Sequence, residues 1–447
     1  MPRVTVIGGG LAGSEAAWQL ARAGIDVDLY EMRPVAPTPA HRTDRLAEIV
    51  CSNSLKSDQP HNASWLLKEE LRRLGSLLLD VADRTRVPAG GALAVDRERF
   101  AAEVTRSIES EPRITLHRGE VTSIPATGRV VVASGPLTSA ALSDSIRTFC
   151  GADHLYFYDA ISPIVDASTI DQAKVFRASR YGKAGSDYLN CPMDRAEYDV
   201  FFEALRTAGS VPLHAFEDTK YFEACLPVEE MARRGKDTLR FGPMKPVGLD
   251  DPRTGRRAFA VVQLRQEDRL ETAYNMVGFQ NHLTFAEQRR VLRLIPGLEN
   301  AEFLRLGQIH RNTYINAPEI LEPTMATRRD PRIYFAGQLA GTEGYIENVA
   351  TGLVAGINAA RAEKGDPPWT PPRETAIGSL AAYVSTPQKH FAPMNINYGL
   401  FPPPDAGTAP RTGEGGSDRP PRRLDKKEKQ RLVAERALER LSECPLA

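Results

Sequence analysis

Within residues 4–31, VTVIGGGLAGSEAAWQLARAGIDVDLYE, a β-branched run, a glycine turn, an alanine-rich helical stretch and a second alternating strand ending on an acid follow one another. Few folds accommodate that order. Val4, Val6 and Ile7 read as a buried parallel strand. Gly8, Gly10 and Gly13 stand where a tight turn, a close backbone approach and close helix packing call for residues without a Cβ. The helix that follows points its N-terminus at whatever lies over the turn, a position that favours phosphate. Glu31 lies 21 residues after Gly10, at the end of IDVDLY. A carboxylate there accepts hydrogen bonds from an adenosine ribose and disfavours a 2′-phosphate. The glycine pattern alone also fits an ordinary α/β turn. Strand before, helix after and acid at this spacing together predict a dinucleotide site, with Gly8, Gly10, Leu11, Ala12, Gly13 and Glu31 as contacts.

Two later segments bear on which dinucleotide it is. RVVVASG (residues 129–135) is a β-branched run closed by small residues, and residues 332–361 read as strand, glycine turn and a long small-residue helix. Both resemble the later FAD-contacting segments of two-dinucleotide flavoproteins, which makes Gly337, Gln338 and Gly352 further cofactor candidates. Those proteins place an acid where this chain has Gln338, whose amide can still hydrogen-bond a hydroxyl. No second GxGxxG occurs, so an NAD(P)H donor is expected to visit the flavin rather than to own a Rossmann domain.

The pattern divides the chain into an FAD-binding first part (1–183), an insertion (184–285), an FAD-binding second part (286–401) and a Pro-rich linker with a basic helix (402–447). The insertion reads as short strands, turns and aromatic clusters: DVFFEAL, HAFEDTKYFEACLPVEEM and AFAVVQLRQED. In the last segment, residues 419–431 carry seven basic residues against two acidic ones, and Val433, Ala437, Leu438 and Leu441 give the continuation a helical apolar stripe. Either a solvated surface helix or a contact with an RNA backbone fits that pattern.

Lys plus Arg and Asp plus Glu are 57 each, so there is no global attraction to nucleic acid, and RNA binding has to come from local patches. The five cysteines are odd in number, widely spaced and free of CxxC pairs, which argues against a disulfide framework or a zinc site; no metal is expected. No stretch reads as a signal peptide or reaches transmembrane length. A cytoplasmic protein with no membrane association and no obligate protein partner is the expectation.

Cys51, in EIVCSNSLKS, and Cys225, in YFEACLPVEEMARRG, have surroundings suited to chemistry. A cysteine is often a small buried hydrophobe. Here Cys225 precedes a helix start near Pro227 and lies near Arg233 and Arg234, features that promote a thiolate, while Cys51 leads into a polar Ser-Asn-Ser turn. Cys150, Cys191 and Cys444 lack such surroundings and read as structural. Arg33, Arg42 and Arg45 beside Cys51, with Arg233, Arg234 and Lys236 beside Cys225, are expected to border an RNA groove. His282 is either a hydrogen-bonded core histidine or a flat ring that stacks on a planar substrate, with Asn281 beside it. Glu343, just before the last helix, can accept from the N–H edge of a pterin or a nicotinamide amide, and Tyr345 follows it.

GGGLAGSEAAWQLA, CSNSLKSD, ALAVDRERF, YFEACLPVEEMARRG, LRFGPMKPVGL, VVQLRQED and GTEGYIENVATGLVAG together resemble the folate- and FAD-dependent tRNA (uracil-5-)-methyltransferases, relatives of the GidA-type tRNA-modifying flavoproteins. The resemblance spans residues 2–401, and the blocks around the two cysteines are its specific part. It implies an α/β fold: a Rossmann-like FAD-binding domain of the glutathione-reductase or GidA type with an inserted smaller α+β domain. It also implies methylation of C5 of the T-loop uridine at tRNA position 54, with carbon from 5,10-methylenetetrahydrofolate and electrons from FADH2 that NAD(P)H regenerates. Cys225 then takes the role of the nucleophile that adds to uracil C6, and Cys51 is either the base for the C5 proton or a group handling the methylene carrier. By the same resemblance His282 stacks on the pterin and Glu343 binds its polar edge.

Three other readings stand beside it. A GidA-like wobble-uridine enzyme is expected to be longer, with added C-terminal helical domains. An FAD-dependent small-molecule oxidoreductase would use the cysteines as a redox pair, against which the missing CxxC speaks. A non-catalytic flavin-containing RNA-binding protein would bind tRNA without transferring a methyl group.

Overall fold

Alternation and glycine placement build the first sheet. In β1 (Arg3–Ile7), Val4, Val6 and Ile7 are buried; in β2 (Asp26–Glu31), Val27, Leu29 and Glu31 turn inward while Asp26, Asp28 and Tyr30 are half-exposed. A computed structural model describes residues 3–151, 155–182, 187–211, 226–389, 391–403 and 425–444. In it β1 is the central strand of a five-stranded parallel sheet ordered Ile333–Phe335, Arg129–Val132, β1, β2, Ile114–Arg118. The helix α1 (Leu11–Arg22) connects β1 to β2 and packs closely on the long Tyr345–Lys364 helix. Glycines set that approach: a Cβ on Gly352 would lie 2.3 Å from the Ala12 carbonyl oxygen, and one on Gly356 would lie 2.6 Å from that of Ala16. The two helices therefore touch backbone to backbone where the cofactor turn begins.

A second sheet is antiparallel and six-stranded, ordered Phe176–Arg177, Tyr188–Met193, Ala260–Gln266, Ala273–Met276, Ile164–Asp166, Phe303–Arg305. Its strands reach from 164 to 305, a wider span than the 184–285 segment marked out by sequence pattern. DVFFEAL does not form a strand. It lies in a helix, Arg195–Arg206, started by a capping box between Asp194 and Glu197, and it buries Tyr198, Phe201, Phe202 and Leu205 against the sheet. AFAVVQLRQED does form a strand, Ala260–Gln266, buried along its whole length. The helix Val228–Arg234 starts after Pro227, as the sequence suggests.

The C-terminal helix Lys426–Ser442 begins with a capping box between Asp425 and Glu428 and buries Val433, Ala437 and Leu441 in the core of the first sheet. Its stripe is thus a docking face, while Leu438 is partly buried beside it. Most of the Pro-rich linker, residues 404–424, lies outside the described residues. Among the described residues no helix is long and apolar enough to cross a membrane.

Candidate active site

The C-terminal ends of β1, β2 and the Arg129–Val132 strand open into a cleft of about 1040 Å³, its mouth included, lined among others by Gly8, Gly10, Leu11, Ala12, Glu31, Gly337, Gln338 and Tyr345. This is the place where parallel α/β sheets take ligands. Gly8 adopts φ +105°, and a Cβ on it would sit 2.5 Å from the Ala133 carbonyl oxygen. One on Gly13 would sit 1.8 Å from the carbonyl oxygen of Gly8. A Cβ on Gly10, by contrast, would meet nothing within 4 Å, and no side chain caps α1. Backbone at a helix N-terminus is thereby left open to the cleft, the cradle a pyrophosphate needs.

Glu31 is buried, and its carboxylate is partly committed to the protein. Oε2 accepts from Gly9 N at 3.1 Å, and Oε1 accepts from Arg33 N at 3.0 Å and Arg33 Nε at 2.8 Å. Burial pushes its pKa up, but the Arg33 hydrogen bond and charge outweigh burial and hold it below the usual carboxylate range. A carboxylate has about four acceptor directions, so one remains on Oε2 for a ribose hydroxyl. The residues present fit an FAD. The same contacts correct one expectation: Arg33 is not at an RNA groove. It is 4% exposed, pairs with Glu31 and with Glu48 at 3.1 Å, and donates to the Thr43 and Arg45 carbonyls. Arg42 is exposed and Arg45 half-buried.

Gln338 and Glu343 are brought together, Gln338 Nε2 donating to Glu343 Oε2 at 2.8 Å on the rim of the cleft. Gly337 has φ +75°, and its missing Cβ leaves room for Ala12. Gly352 supports the cofactor turn from behind, through the helix crossing, rather than lining the cleft.

The Cys51 loop joins this cleft to the second sheet. Tyr345 Oη accepts from the backbone N–H groups of Cys51 (2.9 Å) and Ser52 (3.2 Å), and burial raises its pKa. Arg97 donates to the Ile49 carbonyl at 2.6 Å and to that of Cys51 at 3.5 Å, and pairs with Glu267 at 2.9 Å. From the second sheet Arg265 donates to Asn53 Oδ1 (2.8 Å) and Ser52 Oγ (2.6 Å), while Asn53 Nδ2 donates to the carbonyls of Val95 and Gln266 at 3.0 Å. Cys51 itself is half-buried. Cys150 and Cys191 have other surroundings: burial pushes the Cys150 thiol up to about 11 and raises that of Cys191 as well, the inert state expected of structural thiols.

Cys225 lies outside the described residues; the helix just after it does not. There Glu229, fully buried, accepts from His282 N at 2.8 Å and lies 2.7 Å from His282 Nδ1. His282 is 4% exposed, with its ring orientation set by Glu229. Asn281 is fully buried; its amide donates to the Phe279 carbonyl and packs against Gly307, so it braces the loop. Arg233 and Arg234 are exposed; Arg233 pairs with Glu230, and Lys236 pairs with Asp199. Among the described residues no group of three or more His, Cys, Asp or Glu is placed to hold a metal ion.

Sequence reasoning missed Arg97, Arg265 and Glu229. For Arg265 a signal existed, a charge within the apolar strand AVVQLRQ, since buried arginine is rare unless paired. The others depend on contacts distant in sequence and leave no local pattern.

Comparison with known proteins bears on the whole chain. The family model described as glucose inhibited division protein A matches residues 3–367. A methylenetetrahydrofolate–tRNA-(uracil-5-)-methyltransferase TrmFO from Solibacter usitatus is 59% identical over 98% of each chain, and one from Heliobacterium modesticaldum is 60% identical over 90% of this chain and 91% of its own. Among solved structures, Aquifex aeolicus GidA superposes with a TM-score of 0.70 at 19% identity, over 100% of this chain and 74% of that one, which establishes the shared fold. With a Rossmann-like cofactor sheet, an inserted antiparallel sheet and near-full-length identity of this degree, the chain belongs to the TrmFO family within the wider GidA group of α/β flavoproteins.

Proposed function

We propose that this protein methylates C5 of uridine 54 in the tRNA T-loop to 5-methyluridine, with 5,10-methylenetetrahydrofolate as carbon donor and FADH2, re-formed by NAD(P)H, as reductant. The observation that carries this reading is the 59% identity over 98% of both chains to a relative named for folate-dependent methyl transfer to tRNA uracil. FAD, when bound, supplies the electrons that turn the transferred methylene into a methyl group. Its holders are the glycine turn, Glu31, Gly337 and Gln338.

The chain's own residues account for the remaining steps. Uracil C5 is a poor nucleophile. Addition of the Cys225 thiolate to C6 forms an S–C6 bond and pushes the C5=C6 pair into an enolate, which makes C5 nucleophilic. Once C5 has taken the carbon, its proton has to leave. Cys51 Sγ accepts it as the tetrahydrofolate nitrogen leaves the transferred carbon, and reduction of that carbon expels the Cys225 sulfur from C6 and restores the ring double bond. Tyr345 and Arg97 hold the Cys51 loop for that transfer. His282, oriented by Glu229, stacks on the pterin; Glu343 accepts from its N–H edge; Asn281 braces the histidine loop. Arg233 and Arg234 meet the RNA backbone, and the uridine is flipped out of the T-loop so that its C5–C6 edge becomes reachable. A tRNA substrate and a reduced nicotinamide donor set the reaction in the cytoplasm.

The test is a methylation assay on T-loop RNA with methylenetetrahydrofolate and NAD(P)H against one with S-adenosylmethionine, alongside trapping with 5-fluorouracil-containing tRNA. Folate-dependent product and an adduct that Cys225→Ala abolishes are expected. Methylation from S-adenosylmethionine alone would overturn the donor. An adduct that survives in Cys225→Ala and disappears in Cys51→Ala would reverse the two sulfurs.

A further inference from the structure

A row of side chains crosses the second sheet. Neighbouring strands set Arg265 opposite Asn275, Asn275 opposite Ile164 and Ile164 opposite Arg305. Residues paired in this way stand on the same face. At Arg305 that takes a bulge, because the register shifts between Phe303, which pairs with Val165 and packs on the core of the sheet, and Arg305. A bulge re-aims a side chain, and this one turns Arg305 away from the face of Phe303 and onto that of Arg265 and Asn275. The contacts agree. Arg305 Nη2 donates to the Ala40 carbonyl at 3.2 Å and Arg265 Nη2 to Ser52 Oγ at 2.6 Å, so both ends of the row meet the 40–53 stretch that borders the cofactor cleft.

Arg265 is committed to Asn53 Oδ1 and Ser52 Oγ. The other two donors have capacity left. Asn275 is 2% exposed and its Nδ2 has no hydrogen-bond partner; Arg305 is 8% exposed, its Nε has none, and no carboxylate pairs with it among the described residues. Buried donors without acceptors are costly, a buried guanidinium above all, and call for a group that satisfies them. Ile164, between the two, is only half-buried, which leaves an opening over the row. Two strand steps of about 4.8 Å set the backbones of Asn275 and Arg305 roughly 10 Å apart. A tetrahedral oxyanion held by two hydrogen bonds of about 2.9 Å spans roughly 8 Å from donor to donor. One such group above Ile164 therefore reaches both. Neither residue lines the cofactor cleft, so the FAD pyrophosphate, cradled at the glycine turn, is not that group.

We propose that Asn275 and Arg305 hold a backbone phosphate flanking the target uridine. The inference rests on the reading of a tRNA uridine as substrate and names where its backbone is gripped. The flipped base then lies toward Arg265, whose partner Ser52 follows Cys51 in the chain. A phosphate contact of this kind fixes the position of the nucleotide and reads no sequence.

The test uses the FAD-loaded protein and a fluorescent T-arm RNA in which each phosphate flanking the target uridine is replaced in turn by an uncharged methylphosphonate, with binding followed by anisotropy in the absence of folate. One of the two replacements is expected to weaken binding to the wild-type protein about tenfold. Arg305→Gln should bind the unmodified RNA about tenfold more weakly and show little further loss with the methylphosphonate, whereas Arg305→Lys keeps the sensitivity. Asn275→Leu, which removes the second donor and leaves the charge, should lower binding about fivefold and shrink the methylphosphonate penalty; it carries the test if Arg305→Gln does not fold, as FAD absorbance per chain reports. Wild-type binding indifferent to both replacements overturns the proposal. So does a full tenfold penalty that persists in a folded Arg305→Gln or Asn275→Leu protein, since their losses would then be structural. A raised KM for methylenetetrahydrofolate with unchanged RNA binding would assign the row to the glutamate carboxylate of the folate and overturn it equally. The two readings fail separately: a phosphate-sensitive protein that transfers no methyl group refutes the activity and keeps the site, and an active protein whose Arg305→Gln variant binds RNA as the wild type does refutes the site alone.

Discussion

Replacing Gly352 with alanine pits two effects of known size against each other. Alanine in place of a mid-helix glycine favours the helix by about 1 kcal/mol. The added methyl, however, would stand 2.3 Å from the Ala12 carbonyl oxygen and 2.8 Å from the Ala12 Cα, both backbone atoms, whereas ordinary contact starts at 3.4 Å. Backbone cannot rotate away as a side chain can, so the helix crossing has to open by roughly 1 Å. Overpacking of this kind costs about 1–3 kcal/mol, and contact with rigid backbone belongs at the upper end. The net expectation for Gly352→Ala is a loss of roughly 2 kcal/mol, a drop of about 2–3 °C in melting temperature for a chain of this length. Ala12 also lines the cofactor cleft. Its displacement loosens backbone donation to the pyrophosphate, and weakening one such bond by about 1.4 kcal/mol lowers FAD affinity about tenfold. Gly356→Ala meets Ala16 one turn further from the cleft, at 2.6 Å. It should lose comparable stability with little change in FAD binding. The assay is thermal unfolding followed by flavin fluorescence, with FAD titration of the apoprotein. A Gly352→Ala protein that melts at or above the wild type and binds FAD equally well would refute the backbone-contact argument.

Three further outcomes are expected. Burial, assisted by the charge of Arg33, depresses the His41 imidazole to about 4. The unfolded chain therefore binds a proton between pH 6.5 and 4 that the native protein refuses, so stability should fall across that window by about 3 kcal/mol, and His41→Gln should flatten the slope in denaturant titrations at stepped pH. Glu70, fully buried, accepts from the N–H groups of Ala376 and Ile377 at the start of the Ala376–Ser385 helix, and burial pushes it up to about 8. The native state keeps that proton between pH 4.5 and 8 while the unfolded chain loses it, so stability falls as pH rises; the melting temperature of Glu70→Gln relative to wild type should climb from pH 5 to 9, and a pH-independent difference would count against it. His282→Ala should raise the folate KM about tenfold, the loss of one stacking contact of ~1.4 kcal/mol, with FAD retained. Loss of FAD instead would restore the core-histidine reading.

The cofactor turn was legible because backbone constraints are written locally. A close approach or a positive φ admits little besides glycine, which fixes Gly8 and Gly13, while Gly10 leaves the helix N-terminus open to the cleft. Residues 199–205 misled for the opposite reason: DVFFEAL is aromatic-rich and short, and its helical identity depends on the Asp194 and Glu197 cap before it and on the face that meets the second sheet. Charge was read as exposure at Arg33, yet its neutralisation by Glu31 and Glu48 turns it inward. The holders of Cys51 were beyond local pattern altogether. Tyr345 lies 294 positions away in the chain and Arg265, which binds the neighbouring Ser52, 213. Contacts across such distances are products of the packed fold, and no period or motif encodes them.

The Cys51 loop is fastened at once to the long helix of the cofactor sheet, through Tyr345, and to the antiparallel sheet, through Arg265 and Gln266. Any change in the angle between the two sheets is therefore also a change in where that sulfur stands. The seam between Asn53 and the strand Ala260–Gln266 becomes a control point remote from the flavin and folate pockets. On the proposed role of Cys51, a compound wedged there is expected to stop methylation with the flavin spectrum unchanged.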